Sequence, residues 1–163
     1  METTFLLRKL EKFNVLLASK SPRRQELLAQ LGISFAVCNS FVNETVPQGL
    51  SVHDTAQYLA QQKAEAVFAM YKKQKELIVI GGDTLVTLDN EIMGKPANRK
   101  EAFRMLKKLS GKQHAVISGI SVVTHKKILT KYDEALVSFN DLSDEDICYY
   151  VDKFMPYDKA GAY

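Results

Sequence analysis

The sequence predicts a mixed-sheet α/β domain. Two short apolar runs, NVLLAS from Asn14 to Ser19 and LIVI from Leu77 to Ile80, read as buried strands. Segments of helical periodicity with capping residues alternate with such runs. A hairpin signal at Asp89-Asn90 lies among them, so the sheet is mixed rather than doubly wound and purely parallel.

The elements follow in order. After the first strand, Ser21 reads as an N-cap and Pro22 as the first helical residue. That helix runs through Gln25, Glu26, Leu27 and Leu28 to a C-cap at Gly32. Ile33 to Cys38 alternates like a strand, and the polar loop NSFVNETVPQG follows it. Ser51, with Asp54 three residues on, starts a long helix whose inner side is Ala56, Leu59, Ala60, Ala64, Val67 and Tyr71. The KKQKE run at 72–76 reads as its solvated end. Leu77 to Ile80 is then a strand with Asp83 at its tip, and Gly81-Gly82 permit either a sharp exit or a close approach by a ligand. Leu85 to Leu88 and Glu91 to Met93 flank the hairpin turn. Asn98 and Glu101 form a capping-box pattern for a helix with Ala102, Phe103, Leu106 and Leu109 inside, ending near Gly111. Extended segments at 114–124 and 127–139 follow, and Ser143 caps a last helix through Tyr149 to Val151.

Composition narrows the function classes. A chain of 163 residues with 46% hydrophobic and 25% charged content suits one folded domain. No apolar run approaches the ~20 residues of a membrane span. The start, METTFLLRKLEKF, lacks the apolar run and cleavage site of a secretory signal. Two isolated cysteines, Cys38 and Cys148, fit a reduced cytosolic protein. A net charge of +3 is too mild to argue for nucleic acid, and basic residues interleaved with aromatics are not seen. The basic residues can equally serve a small anionic substrate.

Several residues carry chemical interest. In ASKSPRRQELL a helix N-terminus, which favours acids, instead receives Arg23 and Arg24. With Ser19, Ser21 and free amides they make either an anion cradle or an ordinary solvated first turn. Asp83 either holds a metal or activates water, or else it starts a turn. Lys95 in GKP is a phosphate clamp or a surface residue; Glu44 is a second metal ligand or a solvated loop acid. Lys63, in a helix, is unremarked by itself. His53, His114 and His125 lack metal-ligand spacing.

Taken in order, LASKSPRRQELL, LAQQKA, GGDTLV, GKP, LSGKQHAVISG and DKAGAY resemble the successive signatures of the Maf family, the septum formation inhibitor proteins. The resemblance covers residues 14–163 and leaves 1–13 as an N-terminal extension. It implies an elongated, two-lobed mixed α/β fold with a central cleft, distantly similar to the inosine triphosphatase fold. It also implies a cytoplasmic homodimer that hydrolyses nucleoside triphosphates to the monophosphate and pyrophosphate with Mg²⁺ or Mn²⁺. On this resemblance Asp83 is the catalytic base and a metal ligand, and Glu44 is the other metal ligand. Ser19, Arg23, Arg24, Lys63, Thr84 and Lys95 line the substrate. Arg23 and Thr84 match members acting on dTTP and UTP rather than on 7-methyl-GTP. There are departures. Asn43-Glu44 stands where the family has paired glutamates, and Phe154-Met155-Pro156 where it has Gly-Glu-Pro. The family continues past Tyr163 with Gly-Ile-Gln and further strands. The domain is therefore expected to be incomplete at its C-terminus, and less active or selective than an extended form. The other reading left open is a nucleotide-binding regulator of cell division without turnover.

Overall fold

The computed structural model describes residues 7–163; the first six residues of the expected N-terminal extension lie outside the described residues. The chain alternates strands and helices: β1 (Asn14–Ala18), α1 (Pro22–Gln30), β2 (Ala36–Val37), α2 (Val52–Tyr71), β3 (Leu77–Leu88) and β4 (Glu91–Met93). Then come α3 (Arg99–Leu109), β5 (Gln113–Thr124), β6 (Ile128–Ser138), α4 (Asp144–Phe154) and a 3₁₀ turn at Ala160–Ala162. Among the described residues the strands form one six-stranded sheet in the order β2-β1-β3-β5-β6, with β4 also paired to β3. β1 runs parallel to β2 and β3, while β4 is antiparallel to β3, so the sheet is mixed as expected. The β3–β4 connection has both central residues at positive φ, Asp89 at 54° and Asn90 at 64°, as a two-residue primed turn requires.

Two expectations change. The strand expected over 33–38 shrinks to Ala36–Val37. More consequential, β3 does not stop at the glycines. It continues for 12 residues, so Asp83 stands in mid-strand and not at a tip. The glycines serve another end. A Cβ at Gly81 would collide with the Ala60 carbonyl oxygen and stand 2.9 Å from the Ala64 Cβ. One at Gly119, on β5, would collide with the Ala56 carbonyl oxygen. Two glycines thus let α2 lie directly on the sheet along Ala56, Ala60 and Ala64, all fully buried.

The chain divides into two compact units. The first holds the residues up to Asp83 together with Gly119–Tyr132; the second holds Thr84–Ser118 and Asp133–Tyr163. The first unit's core gathers Ala18, Ala64, Val67, Leu77, Val79 and Val123. Its long helix α2 starts as the sequence predicts, with the Asp54 amide donating to the Ser51 hydroxyl at 3.1 Å. Tyr71, expected on the inner side, is instead 36% exposed at the helix end.

In the second unit Ala102 and Leu106 of α3 pack on Ile147 and Val151 of α4. Leu109 joins Val86, Leu88 and Met93. The Asn98 side chain accepts from the Glu101 amide as expected, but Glu101 reaches back to the amide of Ala97, one residue earlier than a capping box requires. Ser143 and Asp146 close a complete capping box on α4. His114, Phe139 and Tyr163 form an edge-on aromatic cluster in which His114 Nε2 and the Tyr163 hydroxyl lie 2.7 Å apart.

Candidate functional site

The site grows out of the α2–β3 contact in the first unit. Strand side chains alternate, so Asp83 shares the face of Gly81, the face on which α2 lies. The helix residue next to Ala64 is Lys63. Docking Ala60 and Ala64 against Gly81 therefore brings Lys63 level with Asp83. The Lys63 ammonium donates to Asp83 Oδ1 at 2.5 Å and pairs with Glu44 Oε1 at 2.7 Å. Lys63 and Asp83 are largely withdrawn from water, with side chains 13% and 11% exposed, while Glu44 on its loop is 56% exposed. A buried ion pair is a poor source of stability, because desolvating both groups offsets most of their attraction. The pair therefore calls for a reason other than stability.

The β1–α1 connection supplies the second half. β1 is hydrogen-bonded to β3 with Ala18 opposite Gly81, which brings Ser19 to the same end of the unit. Arg24 Nη1 donates to Ser19 Oγ at 3.3 Å, and the Ser21 amide donates to the same oxygen at 3.2 Å. Gly82 leaves room for the guanidinium: a Cβ there would stand 3.3 Å from Arg24 Nε. Burial pulls the Arg24 pKa below its usual value; Asp83 and Glu44 pull it up, and Arg23 pulls it down. The two carboxylates therefore do not fully offset the desolvation of this cation, and an anion arriving here would. The N-terminus of α1 points the same way. Its first turn holds no acid, and the Ser21 side chain makes no capping bond.

Of the residues singled out from the sequence, the structure thus joins Ser19, Arg24, Glu44, Lys63 and Asp83. Arg23 is exposed beside Arg24. Thr84 and Lys95 belong to the second unit, where the Thr84 hydroxyl lies 3.4 Å from that of Ser118 and Lys95 is exposed. Gly119 escaped the sequence reading, although its place in β5 opposite the alanine ridge helps set the height of α2. The signal was there in the spacing of Ala56, Ala60 and Ala64, but it needed a partner strand to be read.

The donor set bears on a metal. Among the described residues no three His, Cys, Asp or Glu side chains gather. Asp83 and Glu44 do converge on one point, where a cation, the Lys63 ammonium, already sits. Two carboxylates, completed by water and phosphate oxygens, suit Mg²⁺ or Mn²⁺. Among the described residues no helix is long and apolar enough to cross a membrane, and Cys38 and Cys148 are free thiols.

The model of the family described as Maf-like protein matches residues 14–163. The chain is 47% identical over 149 residues to the dTTP/UTP pyrophosphatase of Aquifex aeolicus, covering 91% of this chain and 76% of that protein. It is 43% identical over 152 residues to that of Caldicellulosiruptor bescii, with the same coverage. Against that of Porphyromonas gingivalis W83 it is 41% identical over 159 residues, covering 97% and 80%. Among solved structures the Ham1 protein of Staphylococcus aureus superposes with a TM-score of 0.50 at 14% identity, over 80% of this chain and 72% of that one. That likeness speaks to the fold alone.

Proposed function

The chain belongs to the Maf-like protein family, and from that premise we propose that it hydrolyses dTTP and UTP to the nucleoside monophosphate and pyrophosphate. The observation that carries the reading is Lys63 set between Asp83 and Glu44 on one side of a buried Arg24. The relatives at 41–47% identity are named for this activity.

The residues divide the work by charge. A triphosphate carries about four negative charges, and its hydrolysis is catalysed mainly by positioning and neutralisation. Arg24, Lys63 and the amino end of α1 bind the phosphates, with Arg23 beside them; a substrate role for Lys95 and Thr84 is supported by the family resemblance alone. Asp83 and Glu44 would hold Mg²⁺ or Mn²⁺, which when bound neutralises phosphate oxygens and lowers the pKa of coordinated water. Asp83 orients the attacking water and takes its proton. As oxygen bonds to the α-phosphorus, the bridge to the β-phosphate breaks and its electron pair leaves on pyrophosphate. The strand serves as a rigid mount for this carboxylate, held by the sheet on either side and by α2 above. The free thiols favour a reducing, cytoplasmic setting, and the family resemblance adds a homodimer.

A nucleotide panel with pyrophosphate detection tests the reading, run with Mg²⁺, with Mn²⁺ and with a chelator. Metal-dependent release from dTTP and UTP is expected. No pyrophosphate from any nucleotide refutes hydrolysis, and a preference for 7-methyl-GTP over both pyrimidines refutes the substrate assignment.

A further inference from the structure

We propose that in the nucleotide-free protein the Lys63 ammonium occupies the position of the divalent cation between Asp83 and Glu44, so that metal and lysine exclude one another until a triphosphate draws the lysine away. The inference rests on the hydrolytic reading of this site and adds an order of binding to it.

The geometry carries it. One ammonium spans two carboxylates that lie 20 and 19 residues from it in the chain, at 2.5 and 2.7 Å. A divalent ion bound by the same two oxygens needs the same space. The charge balance points the same way. Lys63 and Arg24 already match Asp83 and Glu44, and Arg23 adds a further positive charge alongside. A bare divalent cation would enter a pocket with no negative charge left to meet it, and it would strand a largely buried ammonium. A nucleotide with its cation brings a net negative charge instead. Its phosphate oxygens offer Lys63 new acceptors, freeing both carboxylates for the metal. Lys63 thereby acts as a positioning residue for metal entry as well as a phosphate ligand.

The test is a Mn²⁺ titration of the full chain without nucleotide, followed by the electron paramagnetic resonance signal of free Mn²⁺. Wild type is expected to bind weakly. Lys63→Met is expected to bind at least ~10-fold more tightly, the scale of one charge-assisted contact no longer competing. Adding Glu44→Gln to Lys63→Met should abolish that gain, which places the ion at these carboxylates. Lys63→Gln serves as a second variant where the methionine one fails to fold, since its neutral amide cannot satisfy two carboxylates. Mn²⁺ should raise the Tm of either folded variant more than that of wild type. Equal or weaker Mn²⁺ binding in the Lys63 variants than in wild type overturns the proposal, as does a gain that survives Glu44→Gln. The titration contains no nucleotide, so its outcome is independent of whether the nucleotide panel yields pyrophosphate.

Discussion

The two units place their charges in opposite ways. In the first, the Lys63–Asp83 pair is withdrawn from water, with side chains 13% and 11% exposed. In the second, Arg99 makes a two-pronged pair with Asp152 at 2.6 and 2.8 Å, geometrically as good, but both side chains are more than half exposed. Lys107–Asp144 and Lys108–Glu91 are likewise on the surface. Solvated pairs contribute little, whereas burying a pair is costly unless something else requires it. The second unit takes its order from apolar packing, helix caps and an aromatic cluster. The first carries a buried charge pair that stability alone does not explain. Good hydrogen-bond geometry is common to both, and burial is what separates them.

The sharpest way to break this contrast is Asp83→Asn. The amide is nearly isosteric but neither takes a proton nor holds a divalent ion well, so kcat should fall by at least ~10²-fold while the fold survives. Near wild-type kcat at saturating Mg²⁺ would show that the buried pair is structural after all. Next comes the mount. Gly81→Ala drives a methyl into the Ala60 carbonyl, backbone that cannot swing aside, so α2 must lift. A loss of roughly 1–3 kcal/mol is expected in denaturant unfolding, with a fall in activity as Lys63 moves from Asp83. Unchanged stability would mean that the α2–β3 contact is looser than described.

Two further measurements sharpen the second half of the comparison. Ser143→Ala removes the complete capping box of α4 and should cost about 1 kcal/mol with activity retained. His114 gives the second unit a pH dependence. Burial pulls its pKa below the ordinary 6.5. The unfolded chain therefore binds the proton more readily than the folded one. Stability is fully present above pH 6.5, declines as pH drops through 6.5, and goes on declining until the lower folded value is reached. Urea titrations at stepped pH should show this slope, flattened in His114→Phe. Smallest of all, Arg99→Ala should scarcely move Tm or kcat. A large effect there would erase the distinction between buried and solvated pairs.

Much of the local structure was legible because its causes are local. The caps at Ser51, Asn98 and Ser143 and the turn at Asp89-Asn90 involve partners within three residues, so residue type and spacing announce them. The shortfall at β2 is of another kind. Alternation over Ile33 to Cys38 signals an extended segment, but a strand also needs a neighbour to bond, and β1 offers register only to Ala36 and Val37. The candidate site was legible as a set of residue types in family order. Its assembly was not. Nothing near Lys63 in the chain distinguishes it from other helical lysines, and Glu44 reads as one more loop acid.

The glycines draw the line between the two kinds of information. Sequence by itself determined the mixed α/β class, the order of elements and the family, because periodicity, capping and motif order are written along the chain. It left Gly81-Gly82 open between a sharp strand exit and a close approach by a ligand. Only the tertiary structure decided that Gly81 admits a helix backbone, that the strand runs on, and that Asp83, in mid-strand, shares Lys63 with the loop acid Glu44. The reason is steric. A missing Cβ looks the same in a sequence whether it frees the chain to turn or clears space for another segment, and the difference lies in what packs against it.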